Sequence, residues 1–227
     1  MSTPPVQYLT DLPLFASLSE AEARRVAAAC CRRSIASELI VQSEGQPAGW
    51  LGIVLCGQAR ISLFHSDGRE LVLHLLFAGD CFGDTTVYGP RESPFNVICG
   101  GGTELLLVSL DKLREIAGKN PAFIRDLYEA ALARQRALQT RLRQLAFERG
   151  EGRIVAYLQS LSLARRKQGS GAEGLPVPLT HQTIADNCGL TRETVSRALS
   201  RLQERGEVVR TRQGWLVKSP PSTDGCP

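Results

Sequence analysis

Along the chain, apolar positions recur at helical spacing in some stretches and at strand spacing in another. In "LTRETVSRALSRLQERG", Val195, Leu199 and Leu202 follow at i, i+4 and i+7, with Thr191 in the N-cap position and Gly206 at the stop. Just upstream, "LTHQTIADNCG" predicts a shorter helix capped by Thr180, with Ile184 and Ala185 facing inward and Gly189 making the turn. From Pro121 onward, Ile124, Tyr128, Ala131, Gln135, Leu138, Leu142 and Leu145 alternate by steps of four and three. That pattern predicts a long helix, either with a coiled-coil seam of about three heptads or with an amphipathic face packed on its own domain. Arg134, Arg136, Arg141 and Arg143 flank the stripe and are expected to stay solvated. Between Ile40 and Leu110 the texture changes to short runs of β-formers broken by glycine, with Asp67-Gly68 as a hairpin turn. Such runs predict a β-sandwich or jelly roll. "SEAEARRVAAACC" before it reads as a helix capped by Ser19.

The two short helices joined at Gly189 have the helix-turn-helix pattern, whose second helix enters the DNA major groove. This explains the polar face of that helix. Arg192, Glu193, Ser196 and Arg197 share one side, and these are residue types that read base edges: Arg for guanine, Glu for a cytosine amino group, Ser for several bases. Thr180, His181, Gln182, Thr191 and Arg201 are candidates for the phosphate backbone. "GEVVRTRQGWLVKSP" then predicts strands Val208 to Thr211 and Trp215 to Lys218 around Gln213-Gly214, a wing carrying Arg210 and Arg212 as further backbone contacts.

Charge agrees in direction. Residues 151–227 hold eleven Lys and Arg against seven Asp and Glu, and residues 121–150 six against three, whereas the first 120 hold ten against thirteen. Only the basic end is expected to meet phosphates. At 227 residues with 43% hydrophobic content the chain is globular and long enough for two modest domains. The opening "MSTPPVQYLTD" has no secretory pattern and no run is long enough to span a membrane, so no membrane partner and a cytoplasmic location are expected.

"FAGDCFGDTTVYGPRESPF", "LPLFASLSEAEARRVA" and "LAFERGEGRIVAYL" are similar to the ligand cassette, first helix region and hinge of the catabolite activator and fumarate–nitrate regulator (Crp/Fnr) family. With the helix-turn-helix, the resemblance covers nearly the whole chain. It implies an α+β protein: a cyclic-nucleotide-binding-like jelly-roll sensor in residues 1–120, a dimerisation helix in 121–147, a winged helix-turn-helix in 148–219 and a tail in 220–227. It also implies a homodimer on double-stranded DNA, a small-molecule effector, and RNA polymerase as a further partner. Glu193, Ser196 and Arg197 resemble the fumarate–nitrate subgroup, implying a TTGA-like half-site, with a TGTGA-like one left open by Arg192.

The effector is less legible. The resemblance places the pocket at Phe82, Gly83, Asp84, Thr85, Arg91, Ser93 and Pro94. Asp84 stands where cyclic-nucleotide binders have Glu, and Ser93 or Pro94 where they have the phosphate-binding Arg, unless a gap brings in Arg91. The cofactor is therefore unknown: a cyclic nucleotide and haem on one histidine stay open, and a different effector is favoured. Seven cysteines include no Cys-x-x-Cys pair, only adjacent Cys30-Cys31, which disfavours an iron–sulfur centre. His65 and His74 flank the hairpin turn about four residues apart on the ladder, roughly 13 Å, so one metal is not expected to take both. No metal site, catalytic triad or phosphate loop stands out, so no enzyme is expected. The rivals are a sensor subunit that does not bind DNA and a jelly-roll metalloenzyme.

Overall fold

The computed structural model describes residues 6–68, 70–167, 179–212 and 214–217. Gln213, Lys218, Cys226 and the tail 220–227 lie outside the described residues. Contacts divide the chain into two units: Met1–Leu63 with Leu73–Thr140, and Phe64–Val72 with Arg141–Pro227.

Eight strands carry the first part of the chain: β1 Cys30–Ile35, β2 Leu39–Gln42, β3 Trp50–Cys56, β4 Gln58–Phe64, β5 Glu70–Phe77, β6 Cys81–Phe82, β7 Asn96–Cys99 and β8 Thr103–Ser109. They form two four-stranded sheets, ordered β1-β8-β3-β6 and β2-β7-β4-β5, and every registered pair is antiparallel. The middle strands of the first sheet, β3 and β8, are buried on both faces, whereas Arg32, Arg33 and Ser34 on β1 are exposed. Leu105 and Leu107 on β8 pack with Val54, Ile61, Leu76 and Val97 inside the roll, while Leu106 and Val108 join Leu51 and Ile53 against helices. This is why "WLGIVL" reads as an unbroken apolar run and not as an alternation.

The helices on that outer face are α1 Val6–Thr10, α2 Glu20–Ala28, α3 Leu110–Ala117 and the start of α4, Pro121–Phe147, with a short 3-10 turn at Pro13–Phe15. Ser19 caps α2 through a reciprocal pair of bonds with Glu22, as its spacing predicts. Phe15 and Phe123 stack with ring centroids 6.0 Å apart. One correction concerns the start of the roll. The first strand begins at Cys30, ten residues before Ile40, and Cys30-Cys31 leave the helix. Its sequence, CCRRSI, has no apolar pattern to announce it; β1 exists because β8 pairs with it from Cys30↔Val108 to Ile35↔Thr103. The two thiols alternate across the strand, so they do not converge on one ion.

The second unit is built on α5 Gly150–Lys167, α6 His181–Cys188 and α7 Arg192–Glu204, with β9 Val208–Thr211 and β10 Gly214–Val217 as an antiparallel ribbon. Ile154, Leu158, Ile184, Val195, Leu199, Leu202 and Val208 are all buried. The ribbon's second strand starts at Gly214, one residue before the expected Trp215.

Close packing inside the roll is sharpest where Gly52 meets Phe82 across the β3–β6 pair: a Cβ there would lie 2.0 Å from the ring. Gly52→Ala should therefore lower the unfolding free energy by about 1–3 kcal/mol in urea titrations, whereas Gly49→Ala, with no atom within 4 Å of the new methyl, should not.

Candidate nucleic-acid interface and effector pocket

Local chemistry fixes the two short helices. The Thr180 hydroxyl accepts from the Thr183 N–H at 3.0 Å, and the Thr191 hydroxyl from the Thr194 N–H at 3.2 Å, so both helices carry the N-caps their sequences predict. Gly189 ends α6 at φ 62°, a left-handed conformation that a Cβ would strain. Two guanidiniums then hold the carbonyl end of α6: Arg153 Nη1 donates to Cys188 O at 3.1 Å and Arg141 Nη2 to Asn187 O. Cations at a helix C-terminus complement both its dipole and its orphan carbonyls. Arg141 also donates to Val72 O, so it is not the solvated flank expected of it.

The four predicted base readers all lie on α7. Arg192, Glu193 and Arg197 are exposed and Ser196 half-buried, opposite the buried Val195, Ala198, Leu199 and Leu202. Hydrogen bonds from its own backbone N–H and the Thr191 hydroxyl hold the Glu193 carboxyl below the usual carboxylate range, so it is an acceptor at neutral pH. The predicted backbone contacts are less uniform. The Thr180 and Thr191 hydroxyls are engaged in caps, and Gln182 Nε2 donates to Asp186 at 2.7 Å. His181 lies 6.1 Å from Trp215, and the Arg210 guanidinium sits 5.5 Å over the same indole, which joins wing to helix. Arg212 is exposed at the end of the ribbon.

Arg201 does not face outward alone. Its Nε meets Glu151 Oε1 at 2.9 Å, and Arg205 Nη2 meets Glu151 Oε2 at 2.7 Å, so a single carboxylate on α5 clamps the far end of α7. Sequence reasoning missed Glu151 and Arg153, since neither shows a partner until α5 is folded against α6 and α7.

In the roll, the residues predicted for the pocket differ in setting. Phe82 fills the interior, and Gly83 turns the chain at φ 84°. Ser93 donates to Phe95 O at 2.6 Å, while Thr85, Arg91 and Pro94 are exposed. The Asp84 side chain is 1% exposed, and its carboxylate lies 2.5 Å from Arg134 Nη2, a guanidinium 12% exposed on α4. Arg134 was expected in solvent and is instead the cation of this site. It belongs to a second stripe, Phe123, Leu127, Ala130, Arg134, Ala137, that was readable in the sequence beside the first. A cyclic phosphate needs a guanidinium of its own, and these residues do not fit it: Arg134 is committed to Asp84 and Arg91 points away from burial. Burial first, and Arg134 second, lowers the His74 pKa, so its imidazole is neutral at pH 7. Burial raises the thiols of Cys30, Cys81 and Cys188 to about 12, which removes them as thiolate ligands at neutral pH. Among the described residues no three His, Cys, Asp or Glu side chains are placed to hold a metal, and no helix is long and apolar enough to cross a membrane.

A two-sheet roll, a long helix and a winged helix-turn-helix are the build of a transcription regulator with a ligand-binding-type domain. A cyclic nucleotide-binding domain model matches residues 32–120 and a Crp-like helix-turn-helix domain model residues 152–222. The CRP-like cAMP-activated global transcriptional regulator of Mycobacterium tuberculosis is 32% identical over 170 residues, 73% of this chain and 74% of that protein. The cyclic AMP receptor protein of Thermus thermophilus is 29% identical over 197 residues, 86% of this chain and 88% of that one. FixK2 from Bradyrhizobium japonicum shares the fold, with a TM-score of 0.73 at 23% identity over 84% of this chain and 93% of its own. The chain belongs to the Crp/Fnr family, and its relatives are transcription regulators, not enzymes.

The Glu151 clamp gives a pH-dependent expectation. Hydrogen bonding to Arg205 first, and the charges of Arg205 and Arg201 after it, hold the Glu151 carboxyl below its ordinary range. A depressed carboxyl pKa contributes stability that is present above the unfolded-state value and is lost as pH falls through the folded value. Glu151→Gln should cause a small loss of thermal stability at neutral pH, and the difference from wild type should shrink as pH falls through the folded-state pKa and the native carboxyl is protonated.

Proposed function

We propose that this chain works as a homodimer that reads a palindromic promoter site through the two copies of α7 and is controlled by a small effector bound in the roll. The observation that carries the reading is the exposed face of Arg192, Glu193, Ser196 and Arg197 on a helix whose caps, turn and clamp hold it rigidly. Residues 1–120 are the sensor, 121–147 the dimer helix and 148–219 the DNA-binding domain. Arg197 takes a guanine, Glu193 an amino group of cytosine or adenine, and Ser196 a neighbouring base; Arg192 takes a base or phosphate. Arg212 and Arg210 lie where backbone phosphates pass. The half-site is TTGA-like in preference to TGTGA-like.

Support for the dimer comes from the seam stripe of α4. Ile124 is 43%, Tyr128 63% and Leu142 66% exposed in the single chain, an apolar row that water does not favour. Pairing α4 with its copy covers that row and sets two α7 helices about 34 Å apart, one turn of DNA. RNA polymerase is a further partner of the bound dimer.

Two experiments test the reading. Arg197→Ala should weaken binding to the best palindrome by about 1–3 kcal/mol and relax the preference at one base pair, whereas Arg212→Ala should weaken all duplexes alike and flatten the salt dependence. Identical behaviour of the two across a panel of altered sites would sink the reader-face assignment. Tyr128→Glu should shift the protein to monomer in sedimentation equilibrium and lower its affinity for the palindrome far more than for an isolated half-site.

A further inference from the structure

An opening in the N-terminal unit touches the cassette only at its first residues, Gly79, Asp80 and Cys81. A partly open cavity of about 350 Å³ is lined by the Pro13–Phe15 turn, strands β3 and β5, the Gly79–Cys81 bend and α4. Phe15, Ile53, Leu76 and Ala137 give it apolar walls, and His74 and Arg134 are polar members. None of the cassette residues from Phe82 to Pro94 lines it.

Arg134 has more donors than partners. Its Nη2 donates to Cys81 O at 2.8 Å and meets Asp84, but Nε and Nη1 are buried with no hydrogen-bond partner among the described residues. A buried N–H left unpaired costs about 1–3 kcal/mol, which an acceptor on a bound molecule would recover. The charge of Arg134, in contrast, is already balanced by Asp84. A second anion would add repulsion from Asp84 and from Asp80 on the lining without finding an unpaired cation. Asp80 is itself engaged at the bend, its Oδ2 accepting the Phe77 N–H at 2.9 Å.

We propose that this cavity is the effector site and that it takes a small, mostly apolar, uncharged molecule whose carbonyl oxygen accepts from Arg134. The inference rests on the regulator reading only in treating the roll as the sensing part. Cavities of this size and mixed lining are typical of small-ligand sites. The ligand touches α4 on the stripe beside the seam, at Arg134 and Ala137, so its binding bears directly on the helix that joins the two copies.

The test uses the full-length protein and three probes: 2-octanone, octanoate and cyclic AMP, each titrated by calorimetry. The expected result is saturable binding of 2-octanone, with octanoate and cyclic AMP at least tenfold weaker. Arg134→Lys keeps a cation beside Asp84 but lacks the planar set of donors, and should weaken 2-octanone at least tenfold. Ala137→Phe fills the cavity and should abolish binding. Octanoate or cyclic AMP binding as tightly as the ketone, ketone affinity unchanged in both variants, or no ketone binding at all would each overturn the proposal. Retention of the wild type on palindromic duplex DNA is measured alongside. Failure there would remove the regulator reading while leaving the cavity result standing.

Discussion

A pair of central strands with no solvent face constrains nearly everything else in the N-terminal unit. Because β3 and β8 bury both their sides, apolar area must be supplied twice, by the second sheet within and by helices without. The outer layer is part of the core: Leu9, Phe15, Val26, Leu113 and Phe123 are buried in one cluster with Leu106 and Val108. It follows that the first turns of α4 are core, however surface-like a long helix looks on its own. The same crowding leaves room for no side chain at Gly52, where Phe82 crosses the strand.

Arginine has two distinct uses in this molecule. Arg114 ties the turn after Gly83 by donating to Thr86 O and Val87 O, Arg134 sits with Asp84, Arg141 and Arg153 close the end of α6, and Arg201 and Arg205 close on Glu151. A planar fork of donors suits such fastening better than a lysine ammonium does. Arg192, Arg197 and Arg212 are exposed and carry the outward field. Within the basic C-terminal end, Arg153, Arg201 and Arg205 thus fasten the fold, the last two at its surface.

Legibility in the sequence followed the range of the interactions. The α6–α7 pair was readable to within a residue because caps, stripe and Gly189 are all local signals. The polar, largely exposed face of α7 was readable for the same reason. Strand β1 was not, because its polar sequence takes its conformation from a partner some seventy residues away. The burial of Arg134 is hidden in the sequence because two stripes run side by side on α4, one residue out of phase, and the other one is the more apolar. Glu151 and Arg153 could not have been singled out, as each acts only once three helices have met. The residues that sequence reasoning missed are thus the long-range fasteners, whereas the caps and the turn are local.

The Asp84–Arg134 pair also shapes how this family member can change over generations. With one side chain 1% and the other 12% exposed, replacing either alone strands a charge where water cannot reach it. Replacing both by apolar residues of similar size removes the charge and its partner together. A single replacement is therefore expected to cost stability that a paired one would not, so change at these two positions favours paired steps. Among close relatives, Asp84 and Arg134 should be kept together or lost together.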